Sequence, residues 1–357
     1  MKTSIITIII YCLIFLIVFY IGYDIMNWNH TQRKRVETMT GRKNDNEFDN
    51  LKKKFDQSKI GNITSLQPKY GKLPIKDYCI KSSFNSATTG KHVHENMIKY
   101  VLMSGCRFLD FEIFCVRKNN NFVPVIAESD DPEFKEFSTI NSIGLDKAFR
   151  TIITNAFSET SPNKKDPLFL HLRIKSKDSG CYSAVAKLIE TILKPRLYDA
   201  QVDRDTKMSQ LLGKIIIVVD KTIHRDYKNY AKCNHAETKC YDLSNYTNVE
   251  SGSQTINLMS LVDIENGTTS PVLIKDDNIS TTSNRCKLVL PFENITNNPS
   301  MMKMVLNQGA QMVGYRYHLN DKNLEDCQIF FNDNRGGIVP LAAAIPYFER
   351  EKKEARK

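Results

Sequence analysis

The architecture this sequence predicts is α/β: a (β/α)8 TIM-like barrel behind an N-terminal transmembrane helix. Three observations carry that prediction. From about Tyr78 onward, short apolar runs alternate with amphipathic stretches; the strand-like runs number about eight; and residues 3–23, TSIITIIIYCLIFLIVFYIGY, hold no charge. Strand–helix alternation at this spacing argues for a largely parallel sheet. About eight strands fit a closed barrel, with an open doubly wound sheet as the second choice.

Taken in order, the apolar N-terminal segment comes first. At about 1.5 Å per residue it spans roughly 30 Å, the hydrocarbon thickness of a bilayer. A cleaved signal peptide is the competing reading, but its apolar core is shorter, about 7–15 residues, and ends at a small-residue site not found here. Only Lys2 precedes the segment, whereas Arg33, Lys34, Arg35, Arg42 and Lys43 follow it. The positive-inside rule then places the body of the protein in the cytosol. Six N-x-S/T sequons, beginning at Asn29, Asn62, Asn245, Asn266, Asn278 and Asn294, favour the lumen instead. In a chain this rich in Asn, Ser and Thr they carry little weight.

Residues 24–70 are polar, charged and poor in aliphatics, which predicts a tether that is partly helical at best. Strands are then predicted at DYCIKSS, RFLDFEIF, FVPVIA, PLFLHLRI and GKIIIVVD, with helices at ENMIKYVLMS, GLDKAFRTIITNAF and YSAVAKLIETIL. Residues 222–277 break the rhythm and read as an insertion. It returns at CKLVLP, PSMMKMVLNQG, AQMVGYRY and GGIVPLA.

Composition narrows the function classes. The net charge of +10 comes without aromatic–basic interleaving or a finger motif, so no nucleic-acid partner is predicted. RKRVETMTGRK, next to the membrane segment, fits anionic lipid headgroups. The nine cysteines are scattered. Cys233 and Cys240, with His235 between them, suit a small disulfide or part of a metal site, yet no second ligand pair is near. Unpaired thiols in a reducing compartment are the expected state.

The stretch DYCIKSSFNSATTG…GCRFLDFEIF…FVPVIAESDD…PLFLHLRIKS…LLGKIIIVVDK resembles, in order and spacing, the X region of eukaryotic-type phosphoinositide-specific phospholipase C. NPSMMKMVLNQGAQMVGYRYHLND and CQIFFNDNRGGIVPL resemble that family's Y region. The resemblance implies an X-like half-barrel at residues 76–221, a linker at 222–277 and a Y-like half-barrel at 278–345. It also implies a barrel mouth holding a calcium ion and two histidines, where the inositol 2-hydroxyl attacks its neighbouring phosphodiester. Such chemistry needs donors aimed at developing negative charge and a proton carrier that titrates near neutral pH.

Position by position, the sequence departs from that pattern. Phe84, in SSFNSA, stands where the first histidine is expected, and a phenyl ring neither donates to a phosphoryl oxygen nor carries a proton. Asn85, Asp110 and Glu112 match calcium ligands, the two acids exchanged in length; period-two alternation puts both acids on one strand face. The PVI strand runs into Ala127, Glu128, Ser129, Asp130 and Asp131, with no histidine. Arg173 replaces the fourth calcium ligand, a Glu, and Val218 and Asp220 fall near the two phosphate-gripping lysines. Arg285 corresponds to a later substrate-binding Arg, and Arg173 itself is a second candidate for substrate contact.

These departures predict one rebuilt centre, in which Arg173 forms an ion pair with Asp110 and Glu112 and repels calcium, at a mouth that Phe84 caps. His171 shares the face of Arg173 and is the candidate for a relocated base; His92 and His94 read as a loop or helix start. The acidic run ESDDPE reads as a solvated loop. The expected protein is a membrane-anchored, non-catalytic phospholipase C-like barrel that needs no cofactor and binds phosphoinositide or a protein partner. An active phosphodiesterase retaining calcium at Asn85, Asp110 and Glu112 is the first alternative, and a lumenal or surface glycoprotein scaffold the second.

Overall fold

The computed structural model describes residues 14–16, 19–20, 23, 44–53, 62–119, 121–131, 133–231, 241–267, 285–292 and 296–355. It divides into two units, Met1–Asn46 and Glu47–Lys357. The expected transmembrane segment lies for the most part outside the described residues. Among those described, no helix is long and apolar enough to cross a membrane.

The second unit is built on eight parallel strands that close on themselves. In ring order they are β1 (Tyr78–Ser83), β2 (Phe108–Lys118), β5 (Leu168–Ile174), β6 (Ile215–Asp220), β7 (Val249–Ser251), β8 (Ile256–Ser260), β9 (Cys286–Leu290) and β10 (Met312–Tyr315). The ring shuts where Ser82 and Ser83 pair with Phe108 and Leu109. Three further strands are antiparallel attachments: β3 (Asn121–Ile126) on β2, β4 (Ile143–Gly144) on β3, and β11 (Ile338–Pro340) on β1. Ile80 pairs with Met312 on one edge and Ile338 on the other, so β11 fills the edge of β1 that β2 leaves open.

The (β/α)8 class is therefore present, with a correction to its membership. FVPVIA and GGIVPLA form strands outside the ring, as β3 and β11. The missing two ring strands come from residues 222–277, which supply β7 and β8 and so are not a mere linker. Strands of three and five residues suffice there because each is paired on both edges.

Alternation sorts the side chains into two cores. Leu109, Phe111, Leu170, Leu172, Ile217 and Val219 point outward, against helices such as Glu95–Met103, Leu145–Asn155 and Ser179–Leu188. Ile80, Phe108, Phe169, Ile216, Val218, Leu288 and Met312 point inward and fill the barrel. On the same inward parity, further along each strand, come Phe84, Asp110 with Glu112, His171 with Arg173, and Asp220. The interior thus turns from apolar to charged toward the C-terminal strand ends.

The polar tether ends earlier than residue 70. Residues 47–53 are helical and bury Leu51 in the outer core; Ile63 is buried against Gly105. Gly105 has φ +86°, and a Cβ there would lie 2.6 Å from Ile63 Cδ1, so only glycine lets this segment close on the barrel. Thr64 N donates to Arg335 O and Leu66 N to Asp166 Oδ1, both fixing the same segment.

The cysteines also require correction. Cys115 on β2 and Cys181 on the helix Ser179–Leu188 form a disulfide across 66 residues of sequence, with Cα atoms 5.8 Å apart. Among the described residues, Cys79, Cys106, Cys286 and Cys327 are free and buried. Cys233 and Cys240 lie outside the described residues.

Candidate functional site: the barrel mouth

At the mouth, β2 and β5 run side by side with Asp110 opposite His171 and Glu112 opposite Arg173. Arg173 is fully buried, and its guanidinium engages β2 and the turn after β1 together. Its Nε donates to Asp110 Oδ1 at 2.8 Å and its Nη2 to Asp110 Oδ2 at 2.7 Å, a two-pronged pair. Nη1 donates to Glu112 Oε1 and Nη2 also to Asn85 Oδ1. Asn85 sits at φ +43°, a left-handed conformation Asn tolerates better than most residues, and its N–H donates to Asp110 Oδ2 at 3.1 Å. All three residues matched to calcium ligands are thereby brought together, with the guanidinium among them.

Burial is the largest influence on Asp110 and pushes its carboxyl up. The Arg173 charge and the hydrogen bonds from His171 and Arg173 outweigh it and hold the carboxyl well below the usual range. Burial likewise pulls Arg173 down, but Asp110 and Glu112 raise it above its ordinary value, so it stays charged.

Phe84 lies over this centre. Its ring centroid is 4.6 Å from Arg173 Cζ and 5.4 Å from Arg316 Cζ, and it meets Phe292 edge-on at 6.1 Å. A phenyl ring between two guanidinium groups attracts both through its negative face and excludes water from the ion pair. The odd residue in SSFNSA thus has a partner that no imidazolium would accept.

The mouth opens into a cavity of about 680 Å³. Its lining includes Glu112, Glu128, Asp130, Asp131, Asp220 and Asp263, against the cations Lys175 and Arg316. Asp131 accepts from the backbone N–H groups of Glu133, Lys135 and Glu136, so part of the ESDDPE run folds its own loop. Glu128 accepts from Thr88 Oγ1 at 2.5 Å, and burial pushes its carboxyl up to about 7.

Folding therefore favours the protonated form of Glu128. That contribution is fully present below its ordinary value of 4.5 and is lost as pH rises through about 7. Glu128→Gln keeps an oxygen for Thr88 and carries no charge. It should be more stable than the parent by about 1–3 kcal/mol at pH 8, with the gap closing by pH 4. Urea denaturation at the two pH values checks this; a gap independent of pH would show that the carboxyl ionises freely.

The other expected site residues fall elsewhere. His171 is fully buried below the cavity, its Nδ1 2.6 Å from Asp110 Oδ1 and its Nε2 2.8 Å from Ser251 Oγ. It orients Asp110 and does not line the cavity, so the structure does not bear it out as a relocated base. His92 pairs with Glu47, and His94 accepts from Asn96 N at 3.0 Å as the cap of Glu95–Met103.

Arg285 requires a second correction. It precedes β9 and so stands at the N-terminal end of that strand, opposite the mouth. The cavity arginine is Arg316, next after β10, where it shares the inward parity of Met312 and Gly314; its Nη2 donates to Pro291 O at 2.8 Å. The signal was available in MVGYRY, as the residue that follows a strand on its interior parity.

The donor set does not fit calcium. That ion takes roughly 6–8 oxygens, whereas those of Asn85 and Asp110 and the Oε1 of Glu112 already face Arg173, and Glu112 Oε2 accepts from Ser129 N. Among the described residues, no group of three or more His, Cys, Asp or Glu is arranged to hold a metal ion.

Comparison with known proteins agrees with this fold. The family "Phosphatidylinositol-specific phospholipase C, X domain" matches residues 72–221. No curated protein sequence matches the chain. The crystal structure of L. pealei PLC21 superposes with a TM-score of 0.56 at 15% identity, over 76% of this chain and 37% of that one. S. officinalis PLC21 gives 0.55 at 16%, again over 76% and 37%. The calcium-dependent phosphoinositol-specific phospholipase C of a Gram-negative Pseudomonas sp. gives 0.48 at 13%, over 77% of this chain and 97% of that one. This chain spans little more than a third of the length of the two PLC21 proteins. The family match ends before β7, so a Y region at residues 278–345 rests on sequence resemblance alone. Residues 72–221 match the X-domain family of phosphatidylinositol-specific phospholipases C, and they form the first part of a closed parallel barrel of the fold seen in PLC21.

Proposed function

We propose that this protein is a membrane-anchored, non-catalytic phospholipase C-like barrel whose mouth binds a partner and turns over no lipid. The observation that supports this most is the placement of Arg173. Its guanidinium occupies the space among Asn85, Asp110 and Glu112 and donates to all three. Phe84 seals that ion pair, and the one histidine beside it, His171, is buried beneath Asp110. Each missing proton-transfer role removes roughly 10²–10⁴ in rate.

Of the two ligand classes expected from sequence, the mouth favours a protein partner over a phosphoinositide headgroup. Six carboxylate residues line the cavity against two cations, and Asp220 sits at one of the positions matched to the lost phosphate-gripping lysines. A polyanionic headgroup meets repulsion there; a basic side chain does not.

The test is turnover. The purified full chain is incubated with phosphatidylinositol and phosphatidylinositol bisphosphate vesicles, with and without calcium, and inositol phosphates are measured. No release, and a melting temperature unmoved by calcium, is the expected result. Calcium-dependent release that Asp110→Asn abolishes would overturn it.

A second reading, an active phosphodiesterase of altered chemistry, draws on Glu128, a carboxyl that titrates near neutral pH at the cavity wall. Under that reading release occurs without calcium and falls with Glu128→Gln.

A further inference from the structure

We propose that the barrel matures on the oxidising, glycosylating side of a membrane and carries N-linked glycans at Asn62, Asn245 and Asn266. This goes beyond the non-catalytic reading and does not depend on it. Two independent sets of residues lead to it.

The first set is the cysteines. Cys115 and Cys181 are bonded, although one lies on a strand and the other on a helix much later in the chain. Bonds of this structural kind persist in secreted, lumenal and surface proteins, whereas cytosolic thiols are kept reduced. The remaining described cysteines follow the same logic. Cys79, Cys106, Cys286 and Cys327 are all in the core, and burial pushes the Cys106 thiol up to about 11 and those of Cys286 and Cys327 up to about 12. A thiol that is neither accessible nor ionised does not enter disulfide exchange. Among the described residues, the cysteine that keeps some exposure, Cys115, is the one already bonded.

The second set is the sequons. Three of the six begin at described residues, and all three asparagines are exposed: Asn62 ahead of the Thr64–Gly336 bridge, Asn245 ending the short helix Leu243–Asn245, and Asn266 just after Leu261–Glu265. A glycan needs that surface position. None of the three lines the mouth. Asn298 provides the contrast. It is buried, its side chain holds Arg316 O, Leu319 O and Asp321, and Ser300 follows two residues later; Pro299 between them makes the triplet no acceptor. The triplet of the buried asparagine is blocked, and those of the three exposed asparagines are intact.

The basic residues after the apolar segment favour the opposite orientation. Long domains, however, translocate largely regardless of charge.

The experiment expresses the full chain in a cell with a secretory pathway and treats it with peptide N-glycosidase. Electrophoretic mobility is expected to increase, and Asn62→Gln, Asn245→Gln and Asn266→Gln each to remove one step of that shift. In parallel, the denatured, unreduced chain is alkylated and its peptides weighed; Cys115 and Cys181 are expected to react only after reduction. Loss of either result overturns the proposal: no mobility change, a shift untouched by the three substitutions, or alkylation of both cysteines without reductant. Since neither readout involves lipid turnover, its failure is distinct from failure of the proposed function.

Discussion

Arg173→Met should destabilise the protein by about 3–5 kcal/mol, the usual cost of removing one partner from a buried ion pair. The side chain is fully buried and serves Asp110, Glu112 and Asn85 together. Methionine fills much of the volume but leaves the buried Asp110 with no cation, only the Asn85 N–H and His171, and it takes from Phe84 the nearer of its two cations. The influence holding the Asp110 carboxyl low would go as well, so that burial pushes it up. Arg173→Lys is the informative control. A point charge keeps the electrostatics but lacks the fork that engages both Asp110 oxygens, so an intermediate loss is expected. Urea denaturation at constant m-value measures both. A loss below about 1 kcal/mol for Arg173→Met, the range of exposed ion pairs, would show that the mouth is hydrated and the pair incidental.

Opening the Cys115–Cys181 bond, by reductant or by Cys115→Ala with Cys181→Ala, should cost about 2–4 kcal/mol. The bond closes a loop of 66 residues, long enough for the restricted unfolded chain to account for that range. It ties the outer half of β2 to the helix Ser179–Leu188 near the antiparallel attachment β3. Hydrogen exchange should therefore rise first in β3 and that helix, while Arg173 and its partners stay protected. Denaturation midpoints with and without reductant decide the global effect; equal midpoints would make the bond dispensable.

The failures of the sequence reading share a cause. Arg285 resembles a substrate-binding Arg by its place in the sequence, yet strand direction puts it at the N-terminal end of β9 and puts Arg316, after β10, at the mouth. The ring strands β7 and β8 hide in a Ser-, Asn- and Thr-rich stretch because two-edged pairing, not apolar length, holds them. The tether absorbed residues 47–53 because Phe48 and Leu51, one i,i+3 pair, are too few to announce an amphipathic helix in so polar a stretch. The Cys115–Cys181 bond joins two cysteines whose spacing matches no motif.

By itself, the sequence determined the barrel class, the X-like order of strands and the ion pair of Arg173 with Asp110 and Glu112. The first follows from strand–helix alternation; the other two follow from the resemblance to the X region, with period-two alternation placing Asp110 and Glu112 on one strand face. The tertiary structure alone decided which strands close the ring, which arginine reaches the cavity, what Phe84 packs on and which cysteines bond. Those depend on register and on contacts between residues far apart in sequence, and no local pattern encodes them.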